Sequence, residues 1–230
     1  MTAASDQEPF QESVVPTPAG DLKVTFIGEA SLMFQHNGVV VHVDPWSELT
    51  DYGKLPKADI ILVTHEHMDH LDLPAIRLLR TTNTATIVAP GCGVELPRTG
   101  VMTNGETANI RGVKIEAVPA YNIVHKRGGE EPYHPRERGN GYVLTFGDKR
   151  VYVAGDTENT PEMKRLQNID VAFLPVSPPF TMTAAMAEDA VRALRPKILY
   201  LYHSDPKLAL GLSDRLKSMS GIELRRLRME

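Results

Sequence analysis

Three histidines and one aspartate fall within six positions of this 230-residue chain, in the run Thr64-His65-Glu66-His67-Met68-Asp69-His70. Imidazole nitrogen and carboxylate oxygen are ligands that zinc takes, and manganese or iron accept them too. His65 and His67 are two apart, and in extended chain residues i and i+2 point to the same side, so both rings can meet one ion. Asp69 and His70 follow in a turn and can serve a second ion close by. No requirement of a hydrophobic core calls for such a cluster. The chemistry it points to is hydrolysis by an activated water. Two cations lower the pKa of a bridging water to roughly 7, and the resulting metal-bound hydroxide attacks a carbonyl or phosphoryl centre. Asp69 would then be both a metal ligand and a catalytic residue that orients the hydroxide.

Such a cluster needs a strand to deliver it. Residues 57–63, ending Ile60-Ile61-Leu62-Val63, read as a buried strand running straight into it. The same arrangement, an apolar strand followed by a ligand-type residue, recurs three times. Residues 150–154 lead into Gly155-Asp156-Thr157, where Asp156 could bridge two metals. Residues 198–202 deliver His203. Residues 39–43 lead into Asp44-Pro45-Trp46. Asp44 is expected to orient a ligand histidine by accepting its second N–H rather than to bind metal itself.

The remaining elements follow from pattern and punctuation. Residues 22–27 are a first strand, and 31–35 and 39–43 flank Asn37-Gly38, a hairpin signal because both residues tolerate positive φ. Pro74 opens a short helix over 74–80. Residues 109–111 and 113–118 continue as β meander, and 141–146 with 150–154 form a hairpin around Gly147-Asp148. Thr183 caps a helix through Leu194, with Ala187, Ala190, Val191 and Leu194 on one face. A last helix places Leu208, Leu212, Leu216 and Met219 on a stripe, and residues 222–227 close as a strand. The segment 120–140 has no clear period. It reads as a long surface loop of the kind that often carries function. Its Tyr121, His125 and His134 are candidate donors of the leaving-group proton. Trp46, Phe180 and Met182 could wall an apolar pocket. Strands therefore come in two groups, each finished by helices, which suggests an α/β (α+β) protein with two sheets face to face and helices outside.

Composition sets the wider bounds. Hydrophobic residues make up 42% and charged residues 23%, as in an ordinary globular domain, and the net charge of −4 gives no electrostatic footprint for nucleic acid. Arg225, Arg226 and Arg228 read as a solvated strand face. With one cysteine, Cys92, no internal disulfide is possible. No run is long and apolar enough to span a bilayer. Residues 1–20, polar and proline-containing, lack the pattern of a signal peptide and read as a flexible arm before a domain over 21–230. A chain from which an export signal had been removed would look the same, so a soluble protein is expected in either the cytoplasm or the bacterial periplasm.

The set of motifs resembles the metallo-β-lactamase fold superfamily. Residues 64–70 match its H-x-H-x-D-H motif, Ala154-Gly155-Asp156-Thr157 its bridging-aspartate motif, and His203 its last histidine, in order over most of the chain. Gly28, Ala30-Ser31, Asp44-Pro45-Trp46 and Phe180-Thr181-Met182-Thr183 resemble the branch of small hydrolases related to L-ascorbate-6-phosphate lactonase and N-acyl-phosphatidylethanolamine phospholipase D. The resemblance implies a four-layer αββα sandwich with a two-metal site at one sheet edge, most simply zinc, with manganese or iron as alternatives. The implied metal ligands are His65, His67, Asp69, His70, Asp156 and His203. The family's third first-site histidine would follow the strand 113–118, where this chain has Tyr121-Asn122. Asn122 is the expected replacement, with His125 and His134 as alternatives. Relatives often carry a histidine after the glycine matching Gly28. Here Glu29 stands there, as a surface residue or as a further carboxylate near the metals. The expected activity is hydrolysis of an ester, lactone or phosphodiester of a small molecule. Two other readings are a β-lactamase, and a metal-binding sensor or scaffold with degraded catalysis. A nuclease is disfavoured by the acidic balance.

Overall fold

The computed structural model describes residues 10–94, 96–217 and 219–225. Residues 1–9, the end of the expected closing strand, and Arg226 and Arg228 lie outside the described residues.

The first half of the chain builds one seven-stranded sheet in chain order. Its strands are β1 (Gln11–Val15), β2 (Leu22–Gly28), β3 (Ser31–His36), β4 (Val39–Val43), β5 (Ile60–Val63), β6 (Ala85–Val88) and β7 (Thr99–Val101). Pairing is antiparallel up to β4 and parallel from β4 to β7. Parallel neighbours need a crossover, and α1 (Leu73–Leu79) supplies the one between β5 and β6. Asp72 caps α1 through the Ala75 N–H, and Pro74 sits in its first turn.

The second half repeats this plan. Strands β8 (Thr107–Ile110), β9 (Val113–Ala120), β12 (Gly139–Phe146) and β13 (Lys149–Val153) pair antiparallel, with a small hairpin of β10 (Lys126–Arg127) and β11 (Glu131–Pro132) between β9 and β12. From β13 the sheet continues parallel through β14 (Val171–Pro175), β15 (Ile198–Tyr202) and β16 (Glu223–Arg225), with α2 (Ala184–Leu194) and α3 (Pro206–Leu216) as crossovers.

Three apolar clusters separate four layers. In β5, Ile60 and Leu62 face the space between the sheets, while Ile61 and Val63 face α1. In β14, Val171 and Phe173 face inward, while Ala172 and Leu174 face α2 and α3. Strands buried on both faces read as continuous apolar runs, which is why these were legible. The expected αββα sandwich is the observed fold.

Three expectations shift. Residues 11–15, read as part of a loose arm, form β1, paired antiparallel from Gln11↔Phe26 to Val15↔Leu22, with Val15 in the central core. The buried stripe of α3 is Ala209, Leu212, Ser213 and Leu216, and Leu208 is exposed, because the helix starts from an Asp205 cap and turns a different face inward. The segment 120–140 is partly regular, since it contains the β10–β11 hairpin and the start of β12.

The two sheets close on each other at the edge where β5, β9, β13 and β15 end. The Asn140 N–H donates to the Thr64 carbonyl at 2.8 Å, and the Tyr142 hydroxyl donates to the Val63 carbonyl at 2.9 Å. In the central core Phe173 stacks on Tyr200 and meets Tyr202 edge-on, and the Tyr202 hydroxyl accepts from the Gly155 N–H at 2.9 Å. Gly155 has φ +64°, and a Cβ there would lie 2.9 Å from the Asn140 carbonyl oxygen and 3.0 Å from Thr64 Cβ. Gly155→Ala is therefore expected to destabilise the fold by about 1–3 kcal/mol, the usual cost of overpacking a tight core, as read by chemical denaturation.

Candidate metal centre

Each ligand-type residue stands just beyond a strand end. The turn after β5 is closed by N–H bonds from His70 and Leu71 to the His67 carbonyl. It lays His65, His67, Asp69 and His70 across the seam between the sheets. Asp156 follows β13, and His203 follows β15 with φ +45°. The donor atoms form two groups joined by a third.

In the first group, His65 Nε2 lies 3.0 Å from His67 Nδ1, which lies 3.2 Å from His134 Nε2. In the second, Asp69 Oδ2 lies 3.6 Å from His70 Nε2 and 3.5 Å from His203 Nε2. Asp156 reaches both groups. Its Oδ2 is 3.5 Å from His134 Nε2 and from His203 Nε2, and its Oδ1 is 3.6 Å from His70 Nε2.

The far nitrogen of three rings is already taken, which fixes what the near one offers. His70 Nδ1 meets Asp44 Oδ2 at 2.8 Å, and Asp44 is itself held by the Thr64 N–H and hydroxyl. His134 Nδ1 meets Asn122 Oδ1 at 2.7 Å. His203 Nδ1 meets Glu29 Oε2 at 3.0 Å. Acceptors at Nδ1 select the tautomer whose Nε2 carries a free lone pair, the state a metal requires. Asp44 thus stands against the far nitrogen of the His70 ring.

The donor set fits divalent ions on this chain's own geometry. His70 Nε2 and Asp156 Oδ1 are buried polar atoms with no hydrogen-bond partner. Leaving such atoms bare costs about 1–3 kcal/mol each, and they point at each other's group across the seam. The three ring nitrogens His65 Nε2, His67 Nδ1 and His134 Nε2 cannot all be satisfied by one another, since neutral imidazole has a single N–H. Cations placed among them would satisfy both groups.

Burial and charge push these residues apart in proton affinity. Burial holds His65 well below the ordinary histidine value. It brings His134 down to about 4, the nearby His67 and His70 adding to the effect. For His203 burial opposes the charged ring, but Asp156, Glu29 and Asp69 outweigh it and raise the value to about 11. His70 is raised in the same way by Asp156 and Asp44. Burial opposes ionisation of Asp156, yet His203 and His70 hold it well below the carboxylate range. Without metal, at neutral pH, His65 and His134 are thus unprotonated while His203 carries a proton that a metal must displace. Because binding at His203 releases that proton, affinity there rises with pH. Calorimetric titration at pH 6 and pH 8 is expected to show one ion gaining affinity steeply and the other much less. Equal gains would contradict this assignment.

Several sequence expectations are corrected here. Asn122 does not offer its oxygen to the cluster, because that atom accepts from both the backbone N–H and Nδ1 of His134. His134, the alternative on the same loop, is the residue that stands beside His65 and His67, its Nε2 3.2 Å from His67 Nδ1. It is therefore not a free proton donor. Tyr121 is not one either, because its hydroxyl donates to Glu162 Oε2 at 3.0 Å, with Arg136 over its ring. His125 is tied to Glu158 at 2.6 Å. Met182 is buried against α2 rather than walling a pocket, and Trp46 does not line the cleft. Glu29 sits behind His203, between the two roles proposed for it.

Over the donor groups lies an open cleft of about 470 Å³, lined among others by Met68, Asp69, Arg127, Tyr133 and Phe180. Sequence reasoning missed Arg127, Tyr133 and Glu158. The fully buried Glu158 carboxylate accepts the backbone N–H groups of Ile123, Val124 and His125, which fixes the root of the hairpin. The only sequence signal for it was a carboxylate two places after Asp156.

A sequence model of the family described as a Beta-lactamase superfamily domain matches residues 23–203. This chain belongs to the metallo-β-lactamase superfamily. Among its superfamily relatives, a UPF0173 metal-dependent hydrolase of Desulforamulus reducens is 32% identical over 197 residues, covering 79% of this chain and 84% of that protein. One from Pelotomaculum thermopropionicum is 30% identical over 193 residues, with the same coverages. A crystal structure of a candidate metal-dependent hydrolase from Parabacteroides distasonis matches with a TM-score of 0.87 at 46% identity, covering 96% of this chain and all (100%) of that one. Igni18, a metallo hydrolase of Ignicoccus hospitalis, shares the fold at a TM-score of 0.70 and 23% identity, over 90% of this chain and 94% of its own. Within the superfamily this chain is a metal-dependent hydrolase. No helix among the described residues is long and apolar enough to cross a membrane.

Proposed function

We propose that the chain hydrolyses an ester, lactone or phosphodiester bond of a small molecule, using two divalent ions, with zinc the best match to the donor set. His65 Nε2, His67 Nδ1 and His134 Nε2 would hold one ion. Asp69, His70 Nε2 and His203 Nε2 would hold the other, with Asp156 between them. When bound, the ions supply Lewis acidity, which acidifies a water and polarises the substrate oxygen.

The chain's own residues do the rest. Asp44, Asn122 and Glu29 hold three rings in the tautomer that leaves Nε2 free. Asp69 is the part-exposed carboxylate on the cleft floor, whereas Asp156 is buried. Asp69 therefore orients the attacking water and receives its proton, then returns one to the leaving group. Tyr133 and Phe180, in edge contact at 5.0 Å, give the cleft an apolar wall that excludes water from the substrate.

The observation that carries this reading is the pair of bare, buried, convergent donors His70 Nε2 and Asp156 Oδ1. The sensor or scaffold reading drew its support from Asn122 and Glu29, and both now stand behind ring nitrogens as orienting acceptors, which favours hydrolysis. The test is elemental analysis of purified protein beside a panel of nitrophenyl esters, lactones, bis-nitrophenyl phosphate and nitrocefin. Metal near two ions per chain with ester, lactone or diester turnover is expected. Protein without zinc, manganese or iron, and without turnover, would sink the proposal, and turnover of nitrocefin alone would shift it to lactams.

A further inference from the structure

We propose that Arg127 is the anion-binding residue of the substrate site, so that the molecule hydrolysed carries an oxyanion, carboxylate or phosphate, at the end remote from the scissile bond. This rests on the hydrolase reading and narrows its substrate class.

Arg127 stands on β10 and lines the same cleft as His67, Asp69, His134 and His203. It is the one cationic lysine or arginine among the described residues lining that cleft. Its guanidinium lies 5.7 Å from the centre of the Tyr133 ring and forms no ion pair among the described residues. Cation–π contact over a ring holds the guanidinium plane without neutralising it, so its fork of donors stays free for an oxyanion. Most other cations on this protein are paired on the surface, as Arg136 is with Glu162 and Arg138 with Glu66.

The hairpin that carries Arg127 is anchored at both ends. At its root the buried Glu158 gathers the Ile123, Val124 and His125 N–H groups and the His125 ring. Where the chain leaves the hairpin, Tyr133 packs edge-on against the half-exposed Phe180, which follows β14. Arg127 is thus carried over the cleft on a hairpin whose entry is tied to the buried Glu158 and whose exit packs on Phe180. The same cleft offers Met68, Tyr133 and Phe180, of which Met68 is 80% exposed and Phe180 51% exposed. Large apolar side chains left open beside a single cation suit a substrate with an apolar body and one charged end.

The experiment uses metal-loaded protein and matched esters: mono-4-nitrophenyl adipate, its methyl ester, and an analogue of the same length ending in a phosphate monoester. A charge-assisted pair is worth about tenfold in affinity or more, so kcat/KM for an oxyanion-ended ester should exceed that for the methyl ester by about that factor. In Arg127→Gln the ratio should fall to near one, and in Arg127→Glu it should invert. The two oxyanion arms tell carboxylate from phosphate. Calorimetric binding of monomethyl adipate against dimethyl adipate to the same three proteins gives a readout that needs no turnover. If no ester is hydrolysed, the esterase form of the hydrolase reading fails, while a tenfold preference for monomethyl adipate that disappears in Arg127→Gln still upholds Arg127. No preference in wild type, or a preference unchanged by Arg127→Gln, overturns the proposal.

Discussion

Asp156→Asn is expected to reduce kcat/KM by roughly 10⁴-fold, about 5.5 kcal/mol of lost transition-state stabilisation, while circular dichroism stays native. Asp156 is the carboxylate shared by the two donor groups, within 3.6 Å of His70, His134 and His203. Asparagine keeps its shape and removes its charge. An amide also turns an N–H₂ toward ring nitrogens that must present lone pairs. The loss should therefore appear in metal content as well as in rate, with both ions weakened rather than one. Loss of a single ion with activity intact would mean that Asp156 serves only one group. A variant that keeps both ions and loses only rate would give Asp156 a role in the chemistry alone.

The second large effect separates His134 from Asn122. His134→Ala removes a donor of the first group and is expected to cost roughly 10³-fold in activity, along with loss of one ion. Asn122→Ala removes the acceptor behind His134, together with the amide's own bonds to Glu158 and the Phe180 carbonyl, but no donor of the first group, and outer partners of this kind are worth about 10–100-fold in metal affinity. Excess zinc should then restore most of the activity of Asn122→Ala and none of that of His134→Ala. Were Asn122 the ligand, as the sequence alone suggests, the order would reverse. Metal titrations of the two variants, followed by rate, decide between them.

That contrast also marks how far the sequence could be read. His65, His67, Asp69 and His70 were legible because four ligand-type residues within six positions have no packing explanation, and an apolar run before them fixed their strand. Asp156 and His203 were legible for the same reason, each at the end of a strand buried on both faces. Asp44 announced itself as an acid in a turn between apolar neighbours. His134 was named only as an alternative to Asn122, because it lies on a loop, twelve residues from Asn122 and after the hairpin. Loop geometry is set by distant anchors, here Glu158 and Phe180, which no local spacing reveals. Arg127 and Tyr133 were invisible for the same reason. The strand Gln11–Val15 was missed because a Gln-Glu-Ser start looks solvated, and pairing with β2 overrode that weak preference.

The fold-level reading fared better because the alternation of inward and outward faces is written into each strand. Ile60 and Leu62 against Ile61 and Val63, or Phe173 against Ala172 and Leu174, demand cover on both sides of both sheets. Once both sheets are covered, strand ends at one edge are the place left for a site.

The most direct test is an anomalous difference map, collected at the zinc edge, from crystals of zinc-loaded protein. Two peaks are expected, about 3.5–4 Å apart as in two-metal hydrolases, one among His65, His67 and His134 and one among Asp69, His70 and His203, with Asp156 between. An empty map, a single peak, or a peak held by Asn122 in place of His134 would contradict it.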